Sequence, residues 1–237
     1  GSEKAERAFL DIIEASLEAP EERFFVLVPE QYSMLVQKKL LVLHPRHASR
    51  NLEALSLNRL AYRVFQEQNV QLPPIMDESG KAMVVRRVGG LLEKELTLWK
   101  GRVKKAGFAE QVKSMISECL QYGAAPECFA ELAAAEPKQQ LAMKLRDFSL
   151  LYQGVVDLIQ GRQLPKEEIL SYFAGCIANS KLLTGAHILL DGFVGFTPLQ
   201  YRVLEELLAV AGDVRFVVSL DPALNPYRQL PEEEVFH

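Results

Sequence analysis

"HILLDGFVGFTPLQ", residues 187–200, decides how the rest of the chain is read. Ile188, Leu189 and Leu190 run without a polar break into Asp191, the pattern of a short strand buried on both faces that ends in a carboxylate. Gly192 follows at once, and a helix is expected over about 197–211. In open parallel sheets ligands gather beyond the carboxyl ends of the strands, where loops and helix N-termini converge. Asp191 is therefore the first candidate for chemistry.

Upstream, "RFFVLVPE" carries five continuous apolar residues, Phe24 to Val28, closed by Pro29, and reads as another doubly buried strand. Before it, Ala5, Ala8, Phe9, Ile12, Ile13 and Leu17 recur at spacings of three and four, one apolar face of a helix that Pro20 ends. A helix over about 30–42 follows, then a short strand in "LEALS" and a helix in "LNRLAYRVFQEQ". Ser56 can cap that helix, with Leu57, Leu60, Ala61 and Val64 on one side. "DVRFVVSLD" near the other end is a further buried-strand candidate. Strands alternating with helices imply a parallel sheet with right-handed crossovers.

Between Leu72 and about Leu183 the pattern changes to amphipathic helices with no convincing strand, the best rhythm being Leu141, Leu145, Phe148, Tyr152 and Val155. The expected organisation is a discontinuous α/β core of residues 1–71 and 183–237, with an all-helical insertion over 72–182. The composition fits a folded body: 49% of the 237 residues are hydrophobic, and no apolar run approaches the roughly 20 residues of a membrane span. A cytoplasmic location is the expectation. A net charge of −4 argues against a surface coated in phosphate-binding lysines but leaves room for a local basic groove. Cys119, Cys128 and Cys176 form neither a C-x-x-C pair nor a zinc spacing, so buried thiols are expected. Gly1-Ser2 ahead of an immediately helical sequence reads as a scar of tag removal, hence a piece of a longer protein.

Residues 191–200, Asp-Gly-Phe-Val-Gly-Phe-Thr-Pro-Leu-Gln, resemble the superfamily 1 helicase segment in which an apolar run precedes D-E-F-Q-D-T-N and a later glutamine. Gly192 stands where that segment has glutamate. "VSLDPALNPYRQL", residues 218–230, is similar to the next helicase motif. It keeps Asp221-Pro222 and Tyr227-Arg228 but has Leu224 at the place of a phosphate-sensing glutamine. "ALSLNRLAYRVFQE" resembles the T-F-H-S-L-A-Y-R-I-L segment that lies near single-stranded DNA, and "VLVPEQYSMLVQKKLL" occupies the place of the segment before it. Together, "VPEQYS", "LSLNRLAYRVF", "DESGKAMVVRR", "KLRDFSLLYQ" and "DGFVGFTPLQYRVLEEL" are similar in order and spacing to the AddB/RexB component of the bacterial helicase-nuclease AddAB. The match spans nearly the whole chain.

That resemblance implies a P-loop-NTPase-like parallel sheet flanked by helices. Its first strand and glycine-rich phosphate loop would come just before Glu3. It implies an inactivated motor that serves as scaffold and DNA-channel wall, paired as a heterodimer with an AddA-type helicase-nuclease subunit in double-strand break resection. Asp191, Gln200 and Asp221 would be remnants of nucleotide and magnesium binding, and Gly192 and Leu224 emptied catalytic positions. No catalytic residue and no metal ligand is expected here. ATP with magnesium, and the iron-sulfur cluster of a C-terminal nuclease domain, belong elsewhere in the family's longer chains. Gln31, Tyr32, Ser56, Asn58, Arg59, Tyr62 and Arg63 are the candidates for single-stranded DNA, since Arg and Asn suit phosphate and base contacts while Tyr offers a stacking plane. Two rival functions are an ATPase once the phosphate loop is restored, and a protein-interaction platform built on the helical insertion.

Each signal has a plainer reading. Asp191 could cap a turn after its strand, and the Ser56 to Arg63 group could be a capped helix with a solvated face. "KGRVKK", residues 100–105, is a compact basic run that could meet nucleic acid but is ordinarily a solvated loop end. His44 and His47 in "HPRH" have no third ligand, and Pro45 breaks the helix that would bring them together, so a surface loop is expected.

Overall fold

The computed structural model describes residues 2–105 and 107–217. In chain order its elements are α1 (Ser2–Glu18), β1 (Phe24–Leu27), a 3₁₀ turn (Glu30–Tyr32), α2 (Ser33–Leu43), β2 (Leu52–Leu55), α3 (Leu57–Glu67) and β3 (Ile75–Met76). There follow α4 (Glu78–Leu92), α5 (Phe108–Tyr122), α6 (Pro126–Ala135), α7 (Gln139–Ile159), β4 (Leu164–Pro165), a 3₁₀ turn (Lys166–Glu168), α8 (Ile169–Ile177), β5 (His187–Leu190), α9 (Pro198–Val210) and β6 (Asp213–Phe216). The described residues divide into two compact units, one drawn from 2–60, 181–194 and 210–217, the other from 61–180 and 195–209.

The first unit is built on a parallel sheet of order β2-β1-β5-β6, which bears out the parallel α/β reading. Phe24 pairs in register with Leu52 on one side and His187 on the other. β1 is buried throughout because both of its faces are covered, and for that reason its sequence does not alternate. Phe24, Val26 and Val28 point to one side, where they pack with Phe9, Ile12 and Ile13 of α1 and with Val36 and Leu40 of α2. The chain leaves β1 for β2 in one direction and reaches β5 and β6 in the other. The carboxyl ends of β1 and β5 therefore flank a topological switch point.

β6 departs from expectation. It is half-exposed along its length instead of buried, because among the described residues it is a sheet edge with a neighbour on one side only. His44 also departs, being buried where a surface loop was expected. Its ring folds back and accepts the Arg46 N–H at Nδ1, 3.2 Å away, while the turn puts His47 at φ +48°.

In the second unit the helices gather around Trp99, Phe108, Phe148 and Tyr152. The block is not wholly helical: β3 and β4 pair in parallel, Ile75 opposite Leu164. Two-residue strands are too short to produce any period, and only the fold brings these segments together across the sequence. Asp77 caps α4 by accepting the Gly80 N–H at 2.6 Å. On α7 the apolar rhythm is carried by the buried Phe148, Tyr152 and Val155, whereas Leu141 is exposed. The expectation of buried thiols fails at Cys128, which is exposed on α6, while Cys119 packs half-buried against this core and Cys176 is half-buried. Among the described residues no helix is long and apolar enough to cross a membrane.

Candidate functional site

The carboxyl edge of the sheet in the first unit is where the sequence placed its chemistry. The ladder continues one residue past each strand: Asp191 donates its N–H to the Leu27 carbonyl at 3.0 Å, and Val28 to that of Leu55 at 3.0 Å. This registers Asp191 beside Val28 at the tip of β1. Its carboxylate is half-buried and has no hydrogen-bond or ionic partner among the described residues. It borders an open groove of about 420 Å³ that is otherwise mostly apolar, lined also by Phe9, Val28, Tyr32, Lys39 and Gly192. Lys39 lies 5.3 Å above the Phe9 ring and 3.6 Å from Glu6.

Gly192 has φ +76°, a left-handed conformation that a side chain strains, and a Cβ there would lie 3.5 Å from Pro29 Cδ. The backbone itself, not only the missing side chain, thus departs from what an acidic residue at this position would adopt. Val194, two residues on, is fully exposed.

Ser56 caps α3 as expected, accepting the Arg59 N–H at 3.3 Å, and is buried. Its hydroxyl also donates to Glu30 Oε2, and the Arg59 guanidinium stands 3.7 Å from Glu30 Oε1. Glu30 therefore ties the tip of β1 to the start of α3. Sequence reasoning passed over this residue; its only signal was an acid immediately after a strand-ending proline. Lys39 was passed over too, because its helix α2 is apolar nearly all round, with Met34, Leu35 and Val42 exposed. Gln31 and Tyr32 are exposed on the 3₁₀ turn, and Asn58 is half-buried. Arg59, Tyr62 and Arg63 stand three and four residues apart along α3, all exposed, with Tyr62 edge-on to Phe65 at 6.0 Å.

Gln200 has a local occupation. Its Oε1 accepts the Thr197 N–H at 2.9 Å and its own N–H reaches Thr197 Oγ1 at 3.3 Å, a reciprocal cap at the start of α9. Asp221 and Leu224 lie outside the described residues. Among the described residues no group of three or more His, Cys, Asp or Glu is arranged to hold a metal ion. Asp191 alone suits a magnesium that arrives on nucleotide phosphates, since such an ion takes one or two carboxylates plus phosphate oxygens. The cysteines do not suit an iron-sulfur cluster, which needs several thiolates together. Burial pushes the Cys119 thiol upward, away from reactive thiolate.

Residues 1–237 match the family described as "ADDB, N-terminal". Three curated relatives are each named as the B subunit of an ATP-dependent helicase/deoxyribonuclease. Those from Lachnoclostridium phytofermentans and Clostridium tetani are 34% and 35% identical over 239 residues, covering 100% of this chain and 21% of each relative. The one from Moorella thermoacetica is 34% identical over 217 residues, covering 90% of this chain and 19% of the relative. The chain spans about a fifth of the length of these relatives.

Proposed function

The chain belongs to the ADDB N-terminal family, and from that premise we propose that it is a helicase-like domain whose motor has fallen silent, serving as scaffold and DNA-channel wall in the AddB-type component of an ATP-dependent helicase-nuclease. The observation that carries the reading is Asp191 at the β5 tip followed by Gly192 at φ +76°. Phosphoryl transfer depends on positioning and electrostatics, so a site that offers one carboxylate without a neighbouring acid to orient water loses orders of magnitude in rate.

In this reading the organisation is a P-loop-NTPase-like core of residues 1–71 and 183–237, interrupted by 72–182. The half-exposed edge of β6 supports it, since a strand preceding α1 could pair there. Asp191, Gln200 and Asp221 are nucleotide-site remnants and Gly192 and Leu224 the emptied positions. ATP hydrolysis and unwinding fall to an AddA-type partner subunit, and the complex acts on DNA ends in the cytoplasm. Gln31, Tyr32, Asn58, Arg59, Tyr62 and Arg63 contact single-stranded DNA, whereas Ser56, buried and bonded to Glu30 and to the Arg59 N–H, caps α3 and does not reach the strand. Glu30 holds Arg59 in place for that contact, directly and through Ser56 at the start of α3.

The test is to introduce Asp191→Ala into the full-length protein within the assembled complex and follow DNA-stimulated ATP turnover. Unchanged turnover is expected, and a fall of about tenfold or more would mean that this site hydrolyses nucleotide. Arg59→Ala with Arg63→Ala should weaken single-strand binding and flatten its salt dependence.

A further inference from the structure

We propose that the loop Thr97–Lys105 of the second unit is a preformed clamp for the sugar-phosphate backbone of duplex nucleic acid. The charge of the chain is unevenly spread: residues 97–105 hold four of the 27 Lys and Arg and none of the 31 Asp and Glu. A basic patch on a chain of net charge −4 is the footprint of a local polyanion site rather than of general solubility.

What lifts this run above an ordinary solvated loop is how it is held. The Asp147 carboxylate, fully buried on α7, accepts the backbone N–H groups of Thr97, Leu98 and Trp99 at 2.9, 2.7 and 2.8 Å. Trp99 packs edge-on against Phe108 and Phe148, with ring centroids 5.4 and 6.5 Å away. Arg102 then bonds back to the Trp99 carbonyl and Lys105 to that of Arg102, both at 2.9 Å. Val103 seats the loop on α4 at Gly89, where any Cβ would come within 2.5 Å of Val103 Cγ1. The backbone is thus fixed at three points before any ligand arrives.

The side chains left outside these anchors are Lys100, Arg102, Lys104 and Lys105, all exposed. Lys104 reaches Glu93 at 3.0 Å, and the other three have no carboxylate partner among the described residues. A rigid loop pays little ordering entropy on binding, and each lysine or arginine that neutralises a phosphate releases condensed counterions. The loop exposes no aromatic ring, because Trp99 is 6% exposed, so it lacks the stacking plane a single strand needs. It also lacks the apolar anchors that make a protein-protein hot spot. Regular phosphates on a duplex are what remains.

The inference rests on the reading that the chain works on DNA, but it uses different residues from those on α3. The experiment titrates the 237-residue chain with a labelled duplex and with a labelled single strand of equal length, following anisotropy across a salt series. Lys100→Glu with Arg102→Glu and Lys105→Glu should weaken duplex binding at least about tenfold and lower the slope of log K against log salt by about two to three. Single-strand binding and the thermal midpoint should stay unchanged, since the altered side chains are exposed. A second variant set, Lys100→Gln with Arg102→Gln and Lys105→Gln, should give the same sign without reversed charge. Duplex binding within twofold of the parent overturns the clamp, as does an equal loss on single strands. Loss on single strands confined to Arg59→Ala with Arg63→Ala, beside intact duplex binding in the loop variants, would leave the α3 reading standing and remove this one. No loss in any variant removes both.

Discussion

The two units treat charge in opposite ways. Among the described residues of the α/β unit the buried polar side chains are Ser16, Ser33, His44 and Ser56, while Asp191 and Lys39 stay at the rim of a groove. The helical unit instead sinks a lysine and an aspartate to the centre, Lys81 at 1% and Asp147 at 0% exposed. Lys81 donates to Glu167 at 2.6 Å and Ser117 at 2.7 Å, and Glu167 Oε2 is buried without a hydrogen-bond partner among the described residues. A sheet positions its strands by backbone ladders and alternating faces, so its charged side chains are free to wait at the tips. Helices joined by irregular loops have no such ladder, and directional bonds to buried charges hold those loops.

The sharpest way to break the contrast is Asp147→Ala. It leaves three backbone donors unsatisfied and should cost about 4 kcal/mol or more in urea unfolding. A loss under about 1 kcal/mol would mean the loop is held by packing alone. Next, Lys81→Met strands the Glu167 carboxylate and should cost about 3 kcal/mol, while adding Glu167→Leu should recover more than half of it. A double variant no better than the single one would show that the pair is not the unit of interaction.

Smaller effects are expected at the sheet tips. Gly192→Ala should cost about 1 to 2 kcal/mol from its left-handed backbone, whereas Asp191→Ala should stay within about 0.5 kcal/mol. If Asp191→Ala proves the costlier of the two, the carboxylate is structural and the open-rim description fails. The least change concerns pH. Burial, then Arg46 and His47, hold the His44 imidazole below the ordinary histidine range. The unfolded chain then binds the proton more readily, so this contribution is fully present above about pH 6.5 and is lost as pH falls toward the depressed value. Thermal midpoints followed from about pH 7.5 to about pH 5 should show this decline in the parent and a shallower one in His44→Gln.

Much of the sheet was legible because burial on both faces writes itself into consecutive residues, as in Phe24 to Val28 and in "HILL". The edge character of β6 was not, since "DVRF" reads the same whether or not a neighbour covers it. β3 and β4 could not be read because two residues carry no period. At the candidate site Asp191 was visible as the end of an apolar run, and Ser56 as a cap. Glu30 was invisible: its partners Ser56 and Arg59 lie 26 and 29 positions onward, and only the pairing of β1 with β2 brings them to it. Asp147 looked like any polar residue inside an amphipathic helix.

By itself the amino-acid order determined the alternation of strands and helices, the family, and the place of a carboxylate at a strand end, because these follow from local periodicity and short motifs. Tertiary structure alone decided which strand lies in the middle, that Gly192 adopts a left-handed backbone, and that a carboxylate 48 to 50 positions away holds a basic loop. Such contacts depend on which faces pack together, and no window of neighbouring residues encodes that choice.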